Sequence, residues 1–480
     1  MIGVKGLHRS MLIISVALSV MLTLTACSGE SEGVQGEERQ QNTEIGYSNV
    51  DIAGIWDKTA AKEINLSGEG YEIVNGGVYV FTGETEDGQI RVNVQEGEEV
   101  QIVLNGTDIS CQNGPAIQID SDGKTLITAA ENTQNRLSAV FSIDDEQKEG
   151  KCSVIFSGGD LTVNGTGSLY LSASGGSGIA SKGTLKITGG DMEISADCGG
   201  ISGEQVGIYN GVIDISSVDS SIISRRDDEK GCISVDGGEV ALSSSAGCGI
   251  DAAGPIQFSA GDVEIDSAEE GIFGESIRVA GGNLSVWSAG SCISSAASEK
   301  PAENDVEISG GILELNSSAG DGVHAGGTVL ISGGNTLIQV PADSGRAIVS
   351  GGINSLITGG TLIGIGDGDA AENFQQDSRQ VSVLYRTTKH AAGTQISVFD
   401  YSGEAITSIT AGNSFSCVLF SHPDLRKGES CDFEIGGDRQ SVDLSSVVTD
   451  AAEKNGLKKG DEQSASLWTS DGSKLLSMIE

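Results

Sequence analysis

The chain has 480 residues, among them 70 Gly and only 5 Pro, with 38% hydrophobic and 4% aromatic residues. Those proportions exclude a collagen repeat and a disordered tract, and they require a core of small and β-branched side chains. Asp and Glu number 68 against 28 Lys and Arg, a formal net charge of -40, which repels nucleic-acid phosphates and anionic membrane surfaces, so no nucleic-acid partner is expected.

Residues 1–27 read as an export signal. Lys5, His8 and Arg9 make a basic start, Met11 to Thr25 an apolar stretch, and the span is too short for a stable membrane helix. It ends in Leu24-Thr25-Ala26-Cys27, which resembles the bacterial lipoprotein cleavage box. The resemblance implies that Cys27 becomes the lipidated (palmitate-bearing) N-terminus. A lipoprotein anchored by this lipid alone, on the extracellular face of the cell membrane, is the expected location. Residues 28–46, rich in Glu, Gln, Ser and Gly, read as a flexible tether.

From 47 to 140 the pattern is period-2 β, as in Gln89-Ile-Arg-Val-Asn-Val94 and Val100-Gln-Ile-Val-Leu104, and leads into a solenoid. Between 141 and 366 the strands shorten and a Gly-Gly pair recurs, at Gly189-Gly190, Gly237-Gly238, Gly281-Gly282, Gly310-Gly311, Gly333-Gly334 and Gly359-Gly360. Spacings of roughly 20 to 30 residues mark stacked supersecondary units. Strands this short bury nothing alone, so one coil per repeat predicts a parallel β-helix. The Gly pairs are expected at corners, where φ > 0 or a close backbone approach excludes a Cβ. The hydrophilic insertions 225–230 and 298–304 fall to a solvent face. Residues 367–437 read as a C-terminal antiparallel β cap that covers the open end of the stack, and 438–480 as a loosely held polar tail.

Cysteines 111, 152, 198, 232, 248, 292, 417 and 431 show no CxxC spacing, which speaks against zinc and for buried free thiols. Cys417 with Cys431 is the one pair worth testing as a disulfide.

Several phrases are similar to a family of secreted clostridial carbohydrate-binding domain-containing proteins. They are Val100-Gln-Ile-Val-Leu-Asn-Gly-Thr-Asp-Ile109, Leu161-Thr-Val-Asn-Gly-Thr-Gly167, Ser181-Lys-Gly-Thr-Leu-Lys-Ile-Thr-Gly-Gly190, Ala319-Gly-Asp-Gly-Val-His-Ala325 and Ser421-His-Pro-Asp-Leu-Arg-Lys-Gly428. The resemblance covers about 64–437. It implies an all-β, right-handed parallel β-helix that binds the plant cell-wall polysaccharides cellulose or polygalacturonate, carries calcium at its corners and has no known catalytic role; a monomer is expected. In such relatives the corner reads Asp-Gly-Ile, with the aspartates as calcium ligands. Here Ser177, Gly199, Ser220, Cys248 and Ser291 stand at that place, and only Glu270 and Asp321 keep a carboxylate. Asp219, Asp266 and Glu269 flank the same corners as further candidate ligands, against their other reading as turn residues. Calcium prefers six to eight oxygens, so the departures put it in doubt.

For sugar contact the candidates are Trp287, with Arg225 and Arg226. In Leu284-Ser-Val-Trp287 the alternation turns the indole outward, where it can stack on a sugar ring, unless a neighbouring loop packs over it. Two other functions remain open, a surface adhesin or spacer without glycan binding and a polysaccharide lyase. A lyase needs a base beside its calcium, and Arg278 and Arg346 qualify by location only.

Overall fold

The computed structural model describes residues 45–453, apart from residue 69 and the segments 142–150, 225–230, 297–304 and 353. The signal, Cys27, Arg225, Arg226 and Trp468 lie outside the described residues.

The chain is a parallel β-helix of about 11 turns followed by a small antiparallel sheet. One coil shows the plan. Ile201–Gly203 lies on a first face, Gln205–Ile208 on a second and Val212–Ser217 on a third. The first face is a 12-stranded parallel sheet. The other two faces belong to one larger sheet, because the long strand Val100–Cys111 pairs with both Thr125–Ala129 and Gln134–Val140. Parallel pairing begins with Lys62–Leu66 against Gly77–Thr85, so coiling starts well before residue 141.

The side-chain parity of each strand builds the core. Ile179, Ile201, Ile222, Ile250, Ile272 and Ile293 stack in register on the first face and are fully buried. Ile194, Ile215, Leu242, Ile265, Val286 and Leu315 do the same on the third. Each such side chain contributes about 1.5–3 kcal/mol by leaving water. From Ser217 to Ser317 the last inward position of the third face is polar yet buried, after Ala173 and Ala196 in the preceding coils. There Ser217, Ser288 and Ser317 donate to the corner carbonyls of Asp219, Gly290 and Gly320 at 2.7, 2.8 and 2.8 Å, which satisfies backbone that would otherwise be stranded at the bend.

The paired glycines divide the two expected reasons between them. The second of each pair takes positive φ, as in Gly238 (86°), Gly282 (82°) and Gly334 (77°). The first is squeezed by the coil beneath: a Cβ on Gly310 would sit 2.1 Å from the Ala280 carbonyl oxygen.

The cap closes the C-terminal end. Phe415–Ser421 pairs antiparallel with the final coil strand Thr361–Gly366 and with Ser382–His390. A separate four-stranded antiparallel sheet packs beside it. Residues 438–453 are part of this cap rather than tail: Asp438–Asp443 completes the four-stranded sheet and Val448–Ala452 pairs with Ser382–His390. Cys417 and Cys431 are buried free thiols in different hydrophobic clusters, so the disulfide is not formed. Burial pushes both thiols up to about 12.

The entry segment also differs from expectation. Ile45 is already buried, so the tether docks before its expected end. Asn49–Ala53 is a short helix begun by a Ser48–Asp51 capping box, where only β structure was expected. Its Asp51 is 1% exposed and clamps the second face. It bonds Lys124 Nζ at 2.7 Å, Thr162 Oγ1 at 2.9 Å and Lys186 Nζ at 3.5 Å. Burial alone would raise its pKa, but the bonds from Lys124, Ser48 and Thr162 outweigh that and hold it well below the usual carboxylate range.

Candidate functional site

The third face presents the longest outward strands, and its register lines up their fifth positions. Ser172, Ser195, Ser216, Ser243, Asp266, Trp287 and Asn316 follow one another coil by coil, at a rise of about 4.8 Å. Trp287 is 39% exposed, between the amide of Asn316 and the carboxylate of Asp266. Its parity is therefore the outward one. The outward serines form a track that sequence reading missed, although every third-face strand from Ser168 to Glu239 carries the residue at that place.

The neighbouring outward columns are acidic. Asp191, Glu193, Asp214, Glu239, Asp262 and Glu264 all lie there, and the six third-face strands from Asp191–Ala196 to Ile312–Ser317 hold no Lys or Arg. Trp56 does not join this face, since it packs against Val80, Val103 and Ala130, and Trp468 lies outside the described residues.

Apart from Asp266, which stands on the strand beside Trp287, the candidate metal ligands lie at the bend from the third to the first face, and the structure separates them. At one bend Asp321 is engaged by protein. Its Oδ1 accepts the Ala347 N–H at 2.9 Å and its Oδ2 meets His324 Nδ1 at 3.2 Å. Asp219 and Asp266 are exposed and join no common donor group. Glu269 and Glu270 do come together, but with a thiol: their Oε2 atoms lie 4.0 and 3.9 Å from Cys248 Sγ. Among the described residues this trio is the group of His, Cys, Asp and Glu donors lying within 4.8 Å of one another. Burial, then the two carboxylates, push the Cys248 thiol up to about 11. A soft sulfur and two carboxylates fit calcium poorly, because that ion takes six to eight oxygens.

The basic residues considered for a lyase stand elsewhere. Arg278 lies on the second face with its guanidinium on Glu307 at 3.0 Å, and Arg346 is exposed in the loop before Ala347.

A stack of short coils with a shallow, polar and partly aromatic outer track defines a solenoid that offers an extended surface to a polymer. The sequence profile of the family described as "Carbohydrate-binding domain-containing protein" matches residues 67–267 and again 244–398. The chain belongs to this family. A protein of the same description from Acetivibrio thermocellus is 30% identical over 190 residues, a match that spans 38% of this chain and 65% of that relative. The chain is also similar to a solved structure described as a polysaccharide lyase-like protein from C. thermocellum, gadolinium derivative. That likeness has 27% identity and a TM-score of 0.44, and it covers 46% of this chain and 96% of the other.

Proposed function

We propose that the chain is a non-catalytic, cell-surface lipoprotein that holds a neutral plant cell-wall polysaccharide, cellulose being the model case, along its third face. The observation that carries the reading is the half-exposed Trp287 in the outward column, flanked in register by Asp266 and Asn316. An indole face stacks on the apolar face of a pyranose ring, while the carboxylate and amide on either side bond its hydroxyls. The serine column extends the same hydrogen-bonding surface over further coils, so affinity accumulates from weak contacts in series. Family membership supports carbohydrate as the ligand class.

Charge selects among glycans. The acidic columns beside the track repel polygalacturonate unless cations intervene, and the corner residues offer calcium few oxygens, so calcium is not needed for binding.

A cellulose pull-down tests the reading. Binding should persist in chelator, polygalacturonate should be retained weakly or not at all, and neither polymer should release product. Retention of polygalacturonate that disappears with chelator would replace the neutral glycan with a calcium-bridged acidic one. Appearance of unsaturated uronate would make the chain a lyase, and retention of neither polymer would leave the spacer reading.

A further inference from the structure

We propose that Cys248, Glu269 and Glu270 form a three-ligand site for a borderline divalent cation of the zinc type, in place of the calcium expected at this bend. Cys248 comes from one coil and the two glutamates from the next, so a bound ion would staple successive coils where the third face turns into the first.

Three observations carry the inference. The first is geometry. Tetrahedral zinc with Zn–S of about 2.3 Å and Zn–O of about 2.0–2.2 Å holds sulfur and oxygen about 3.5 Å apart. The present separations are 3.9 and 4.0 Å, so side chains that reach the surface close the gap with a small rotation.

The second is unbalanced charge. Neither glutamate forms an ion pair with Lys, Arg or His among the described residues, and both carboxylates point at the same buried sulfur. Two like charges sharing one spot repel each other, and a cation between them relieves the repulsion.

The third is donor chemistry. Thiolate selects zinc and its neighbours over calcium. Three protein donors leave a fourth position for water, on the side where Glu269 is exposed.

The fold tolerates the decisive substitution, because Ser220 and Ser291 occupy the same bend position in nearby coils. The experiment uses the full mature chain and its C248S, E269Q/E270Q and C198S variants, in equilibrium dialysis against Zn(II), Co(II) and Ca(II). The expected result is one zinc per wild-type chain, undisturbed by excess calcium. Co(II) in the same place should give a near-ultraviolet thiolate-to-metal charge-transfer band. C248S should lose that band, both C248S and E269Q/E270Q should bind zinc at least tenfold more weakly, and C198S should match wild type. Absence of zinc uptake, uptake unchanged in C248S, or displacement of zinc by calcium would overturn the proposal. If C248S proves unfolded by circular dichroism, unchanged zinc affinity in E269Q/E270Q overturns it instead.

Discussion

Single residues set what the coil tolerates. Gly310 has no room for a methyl group, since a Cβ there would meet the Ala280 carbonyl oxygen at 2.1 Å. Gly310→Ala should therefore cost about 1–3 kcal/mol, as overpacking does, and lower the melting temperature, whereas Gly106→Ala at a site with no neighbour within 4 Å pays only for its positive φ. Asp51 makes a second, pH-dependent contribution. Its folded pKa is depressed, so its stabilisation is complete above the unfolded value of about 3.9 and fades as pH falls from there toward the folded value. Asp51→Asn should remove about 1.5–3 kcal/mol, the range for hydrogen bonds to a charged group. Limited proteolysis should then cut first near residues 45–54, and urea midpoints for the variant should depend less on pH between about 4 and 2 than those of wild type. Equal midpoints for variant and wild type at pH 7 would show that Asp51 does not clamp the segment.

At the scale of the element, the third face is the one strand set long enough to give three outward columns. Trp287→Ala removes the aromatic platform of the fifth column, and a stacking contact of about 0.5–1.5 kcal/mol corresponds to a roughly 2- to 12-fold loss of affinity for cellulose. Unchanged retention in the pull-down would move the binding surface to another face. The outward parity of Trp287 was legible in Leu284-Ser-Val-Trp287, because alternation fixes the side of a strand without any knowledge of its neighbours. The partners of Trp287 were not legible. Asp266 and Asn316 lie 21 and 29 residues away in sequence, and only the coil lengths between them decide that they meet. The short helix at Asn49–Ala53 had a readable Ser-x-x-Asp cap, but five residues carry too little periodicity to stand out from the β pattern around them.

For the molecule as a whole, the stack has an exposed hydrogen-bonding edge at its end, and Phe415–Ser421 covers it. A chain stopped after Gly366 should bare Thr361–Gly366 and the apolar Ile363 and Ile365, and associate edge to edge. Sedimentation should show concentration-dependent oligomers, and a monomeric truncated chain would deny the cap this role. Export and tethering also belong to this scale: Cys27→Ser should shift the protein from the membrane fraction to the medium, which fractionation and blotting would read. Sequence alone determined the all-β class, the coil repeat, the corner glycines and the antiparallel cap, because each rests on local period or on the conformational freedom of one residue. Tertiary structure decided the extension of the cap through 438–453, the separation of Cys417 from Cys431, the Asp51 clamp and the meeting of Cys248 with Glu269 and Glu270. Each of these depends on which coil lies against which, and insertions of unequal length between coils hide that register from any count along the chain.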